Sequence, residues 1–180
     1  MKTTETFMKD AKKYIIFAFL TPLEEDRLYT NPIFIPTSAN TLCYHSSTNL
    51  QYNDATMVFK NLRKSQIYFS IDFSEIQSFK IKPVVRIGGI PYQTHLIELF
   101  IKTEMYNFQI ETKDIDDVLK LCVYLHHKKI EIKDPCSIIK VLIRYRDQEG
   151  GYYQYMLEHY KEIAKKYHLD LPRIRVERTQ

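Results

Sequence analysis

Apolar and polar positions change their spacing within the stretch His95–Ile132, and no other part of the chain is as legible. Leu96, Glu98, Phe100 and Lys102 alternate with Ile97, Leu99 and Ile101, the pattern of a strand buried on one face and partly covered on the other. Thr103-Glu104-Met105 is short and polar enough for a hairpin, although it lacks the glycine that the tightest turns prefer. Tyr106, Phe108 and Ile110 then alternate with Asn107, Gln109 and Glu111, which predicts a second strand with one wet face. From Thr112 the spacing becomes helical, and Ile115, Val118, Leu119, Cys122, Leu125 and His126 make one stripe. Thr112 or Asp114 is placed to accept from the first free backbone N–H groups. Asp114, Asp116 and Asp117 bring negative charge to the positive end of the helix dipole, and Lys128 and Lys129 occupy the last turn. The helix is predicted over about 114–129.

Upstream, Thr3 to Leu20 suits one helix, with Phe7, Ala11, Tyr14, Ile15 and Ala18 along a face. Tyr14–Leu20 also fits a buried strand, because a short apolar run does not decide between the two; a helix is preferred. Pro22 ends either element, and Leu23–Asn31 is acidic and loop-like. Pro32–Pro36, Leu42–Ser46, Thr56–Phe59, Ile67–Phe73, Glu75–Lys82 and Val84–Ile87 are short strand candidates. Ile67, Phe69, Ile71 and Phe73 are expected on one face. Downstream, Cys136–Asp147 suits a helix, although its β-branched residues also permit a strand. Tyr152–His168 is a second helix with Tyr153, Met156, Tyr160, Ile163, Ala164 and Tyr167 as its apolar positions. All four glycines fall in two pairs, Gly88-Gly89 and Gly150-Gly151, expected to be the sharpest backbone turns. The tail Asp170–Gln180 alternates Ile174 and Val176 with Arg173, Arg175 and Glu177, as a strand offered to a partner would.

The strand hairpin followed by one capping helix resembles the end of a bacterial pleckstrin-homology-like (PH-like) domain. The likeness covers roughly Pro32 to Ile132 and rests on the order of elements. It implies an α+β, mainly antiparallel fold: a bent sheet or barrel of 5–7 strands capped by the helix. An N-terminal segment (1–31), the β domain (32–134) and a C-terminal helical extension with a basic tail (135–180) are then expected. The resemblance implies no catalytic residue and no cofactor.

A chain of 180 residues can bury a substantial core, and its 27% charged residues are ordinary for a globular protein. Cys43, Cys122 and Cys136 are odd in number, widely spaced and without a CxxC, so neither a disulfide framework nor a zinc site is expected, and a reducing compartment is the default. Lys12-Lys13 before Tyr14–Leu20 imitates the start of a signal peptide. The run sits at the short limit and no small-x-small cleavage site follows, so a cytoplasmic location is expected.

The net charge of +4 is uneven. Lys60, Arg63, Lys64, Lys80, Lys82 and Arg86 face only Asp72 and Glu75 in the same segment, which makes them candidates for an anionic membrane surface or a phosphorylated ligand. Lys60, Arg63 and Lys64 fall in an expected loop. A solvated surface explains such a cluster more cheaply. Tyr152, Tyr153, Tyr155, Tyr160 and Tyr167 are interleaved with lysines. Their first explanation is packing, their second a protein partner, with nucleic acid a distant third. Tyr152, Tyr153, Tyr160, Tyr167, Arg173 and Arg175 are the partner candidates. The histidines lack metal-ligand spacing, and GxSxG, P-loop and GxGxxG motifs are absent. A non-catalytic binding module with an adaptor, regulatory or immunity-type role is the expectation.

Overall fold

The computed structural model describes residues 4–11, 16–22, 48–61, 66–87, 93–169 and 171. Their elements are α1 (Thr4–Ala11), β1 (Ile16–Pro22), β2 (Thr48–Tyr52), β3 (Thr56–Asn61), β4 (Ile67–Asp72), β5 (Ile76–Ile87), β6 (Gln93–Thr103) and β7 (Asn107–Thr112). There follow α2 (Ile115–His127), β8 (Ile132–Lys133), α3 (Ile138–Tyr145) and α4 (Gly151–Tyr167). The fold is α+β. Two mostly antiparallel sheets, β2-β3-β4 and β7-β6-β5-β8, are joined by β1, which runs parallel to both β2 and β7.

Register carries one apolar face across the whole ladder. Phe79 and Ile81 of β5 lie beside Ile101 and Leu99 of β6, these beside Phe108 and Ile110 of β7, and Leu20 and Leu50 pair farther on. All are buried. Neighbouring strands lie about 4.8 Å apart, so β4 and β7, four steps apart in the ladder, would be about 19 Å apart in a flat sheet. Yet Phe69 of β4 and Phe108 of β7 have ring centroids 5.5 Å apart, and Phe59 of β3 lies 5.0 Å from Phe108. The sheet therefore curls over its own apolar face. Among the described residues β4 and β8 remain the two ends of the ladder, so the expected barrel is not closed.

Helices complete the core. Phe7 of α1 stacks on Tyr68 at 4.8 Å, and Val118, Leu121, Cys122 and Leu125 of α2 are buried in the same cluster. Ile138 and Leu142 of α3 and Tyr152, Met156, Tyr160 and Ala164 of α4 belong to it too. The segment after Asp134 is thus a layer of the domain rather than an appendage.

Several expectations are corrected. Ile16–Pro22 is a strand, not the continuation of a helix, because β2 and β7 both supply backbone partners for it. β2 was not anticipated: Thr48, Asn49 and Gln51 are polar yet buried, so no apolar alternation announces the strand. The two strands expected at Glu75–Lys82 and Val84–Ile87 merge into one continuous 12-residue strand, Ile76–Ile87. Ile67 is exposed rather than in line with Phe69 and Ile71, since a bulge opposite Phe59/Lys60 shifts its register. β6 is buried on both faces from His95 to Leu99. In α2 the stripe includes Leu121, while His126 is exposed; in α4 it begins at Tyr152 rather than Tyr153. Pro32–Pro36, Leu42–Ser46, Gly88-Gly89 and the tail from Pro172 lie outside the described residues.

Candidate functional site

α3 and α4 form a helical hairpin whose outer side is a groove of about 430 Å³. Its walls follow from local chemistry. The Asp134 carboxylate accepts hydrogen bonds from the N–H groups of Ile138 (2.7 Å) and Ile139 (2.8 Å), which fixes the start of α3 despite its β-branched composition. Ile138 and Leu142, four apart, point to the core and leave Lys140 and Arg144 on the groove side. Gly150 (φ 68°) and Gly151 (φ 40°) then reverse the chain. Along α4, Tyr152, Met156, Tyr160 and Ala164 recur every fourth residue as the buried stripe, and the Tyr152 hydroxyl donates to the Leu96 carbonyl at 3.2 Å. Tyr155, His159 and Lys166 line the groove.

A ring ladder bridges the two helices. Tyr145 and Tyr155 stack at 4.7 Å with 28° between planes, and Tyr155 and His159 at 4.4 Å with 14°. His159 Nδ1 lies 2.9 Å from the Tyr155 carbonyl. Arg144 sits 5.5 Å from the Tyr145 ring and Lys166 4.9 Å from the Tyr167 ring, distances at which a cation is attracted to the π face. Among the described residues, Glu162 is the one carboxylate lining the groove. Burial pushes the Cys136 thiol above its ordinary pKa, so it lines the groove as a thiol rather than a reactive thiolate.

The expected partner residues divide. Tyr152 and Tyr160 are core residues, so neither presents a surface. Tyr153 is 39% exposed, its hydroxyl donates to the Lys113 carbonyl at 2.8 Å, and burial of the phenol pushes its pKa to about 12. Tyr167 is half-buried beside the groove. Arg173 and Arg175 lie outside the described residues. Sequence reasoning missed Lys140, Arg144, Tyr145, His159 and Lys166 as site residues. The signals were the pairs Lys140/Arg144 and Tyr155/His159, each four residues apart, but only knowledge of the helix pairing says that they face each other.

The expected basic surface is arranged differently. Lys80, Lys82 and Arg86 share one face of β5, opposite the apolar face, and register carries that face toward Lys60 on β3. Lys82 pairs with Glu98 at 2.8 Å, and Gln109 donates to the same carboxylate at 2.8 Å. Arg86 donates through Nε and a terminal nitrogen to Glu111, which is fully buried. Burial raises the Glu111 pKa above its usual 4.5, opposed by the hydrogen bond and charge of Arg86. Lys60 donates to Gln51 at 3.5 Å. Arg63 and Lys64 lie outside the described residues. Much of this cationic charge is therefore already matched within the sheet.

Among the described residues no group of His, Cys, Asp and Glu is arranged to hold a metal ion, and Cys122 and Cys136 are free thiols. No described helix is long and apolar enough to cross a membrane. No protein-family model, curated protein or solved structure matches this chain.

Proposed function

We propose that this protein is a non-catalytic binding module whose partner is another protein, held at the α3–α4 groove. The observation that carries this function is the pairing of a rigid aromatic ladder with cations on both walls of an open groove. Aromatic rings and arginine are the groups that dominate protein recognition energetically, because they contribute contact area with few rotatable bonds. Ile143 (62% exposed) and Leu157 (58%) are exposed on the same hairpin but do not line the groove. The PH-like relationship remains part of this proposal. The curled sheet and the helix after the last hairpin support it, whereas the parallel pairings of β1 and β8 depart from a purely antiparallel sheet.

The rival assignment, an anionic membrane or phosphorylated ligand bound at the basic sheet face, has less behind it. Lys82 and Arg86 already neutralise Glu98 and Glu111 there. The test is affinity capture from native lysate with the full chain, comparing the unaltered protein with Arg144→Glu and Tyr155→Ala. A protein retained by the first and depleted at least fivefold by both variants is the expected result. Capture that is equal for all three, or no capture at all, overturns the proposal.

A further inference from the structure

From the charge and shape of this same groove, we infer that its occupant is an acidic peptide segment carrying an aromatic side chain, contributed by the partner protein. The inference rests on the proposed binding function and specifies the chemistry recognised.

Charge comes first. Lys140 and Arg144 on α3 and Lys166 on α4 line the groove against the single carboxylate of Glu162. On α4 the charges of Lys166 and Glu162 offset each other, so the positive excess comes from Lys140 and Arg144 on α3, and the groove complements carboxylates and disfavours a basic segment. Spacing comes next. Lys140 and Arg144 stand one helical turn apart, about 6 Å. Lys166 belongs to the opposite helix. Separated cations along a trough match carboxylates spread over an extended segment. A phosphate cluster would call for donors converging on one point, and the Asp134 carboxylate already occupies the first N–H groups of α3 that could have served it.

The rings supply the second element. Tyr145, Tyr155 and His159 form a continuous stack between the walls, closed below by partly buried Ile163 and Val141. A planar apolar side chain can extend such a stack or lie across its edge, gaining roughly 0.5–1.5 kcal/mol beyond area burial. At about 430 Å³ the groove accommodates one such anchor with its flanking residues rather than a folded domain.

The test uses the full chain and a displayed library of random 12-residue peptides, followed by fluorescence anisotropy on the selected sequences and on labelled ATP. The expected selection is net negative with an aromatic residue. Replacing its acidic residues by Lys should abolish binding, and replacing the aromatic by Ala should weaken it about tenfold. Lys140→Glu and Lys166→Glu, on opposite walls, should each weaken binding at least tenfold, while Lys161→Glu on the solvent side of α4 should leave it within twofold. Circular dichroism of each variant separates lost binding from lost folding. Selection of neutral or basic peptides, no selection, tighter binding of ATP than of any peptide, or charge reversals without effect would each overturn the inference. Lysate capture that still depends on Arg144 and Tyr155 would then leave the binding function standing; loss of both results removes both.

Discussion

The imidazole of His95 is buried at the start of β6 with neither ring nitrogen hydrogen-bonded, 6.0 Å from the ring of Tyr160. Burial lowers its pKa from 6.5, so the unfolded chain binds the proton more tightly than the folded one. This contribution to stability is intact above pH 6.5 and is lost as the pH falls below it, toward the lower folded-state value. Urea midpoints measured from pH 7.5 to 5 should decline for the natural chain and flatten in that window for His95→Leu. A decline of the same slope in both would place the titrating group elsewhere. Glu111 carries the opposite sign. Its raised pKa makes its contribution best below 4.5, and stability is lost as the pH rises through the folded-state value. Arg86 limits that loss, so Arg86→Met should cost about 3–5 kcal/mol at pH 7 by leaving a buried charge unpaired. Adding Glu111→Gln should recover most of it. Equal losses in the single and double variants would mean that packing, not the charge, was removed. Neither site was legible from spacing. Alternation put Glu111 on a wet face and Glu98 on a partly covered one, and only the strand register shows both buried beneath Lys82 and Arg86.

Elements were legible where one local signal dominated. The β6–β7 hairpin and α2 were predicted because alternation, turn and helical stripe follow one another without a gap. Even there, the cap differs. Asp114 spends its carboxylate on the Leu20 N–H (2.8 Å) and the Thr112 hydroxyl (3.0 Å), tying α2 to β1 instead of capping its own helix. Asp117 accepts from the Tyr52 hydroxyl at 3.3 Å, and Asp116 pairs with Arg146. The three acidic residues therefore join three different elements. The end of α2 is a Schellman turn, with Lys129 N–H to His126 and Ile130 N–H to Leu125, and Lys129 takes the left-handed conformation that glycine usually fills. β1 and β2 were hard to read for different reasons: β1 is paired by β2 and β7, both distant in sequence, whereas β2, although joined to β3 by a short hairpin, carries buried polar residues in place of an apolar alternation. Between α3 and α4 the requirement is sharper. A Cβ on Gly151 would come within 2.5 Å of the Tyr145 carbonyl oxygen, at a positive φ. Gly151→Ala should cost about 1–3 kcal/mol and separate Tyr145 from Tyr155. A change below about 0.5 kcal/mol in chemical denaturation would show that the turn can relax.

One buried cluster of described residues runs from Phe7 to Ala164, so it includes side chains from before residue 32 and from after residue 134. The sequence set 135–180 apart as a helical extension with a basic tail. Instead Ile138, Leu142, Tyr152 and Met156 complete the core over β5 and β6. A chain ending at Asp134 should lose cooperative unfolding in calorimetry, because removing several buried side chains of this size, each worth about 2–5 kcal/mol, exceeds the total stability of a typical domain. A cooperative transition at an unchanged midpoint would restore the view of a detachable extension. The same integration gives the groove its stiffness: the inner faces of α3 and α4 are fixed in the core while their outer faces hold the cations and rings. The proposed function requires that outer face to meet another protein. Its most direct test is site-specific photo-crosslinking in native lysate, with a benzophenone side chain replacing Glu162, exposed at the groove, in one sample and Lys102, on the exposed outer face of β6, in another. A discrete protein adduct at position 162 and none at 102 is the predicted result; adducts at 102 but not at 162, or at neither, would contradict it.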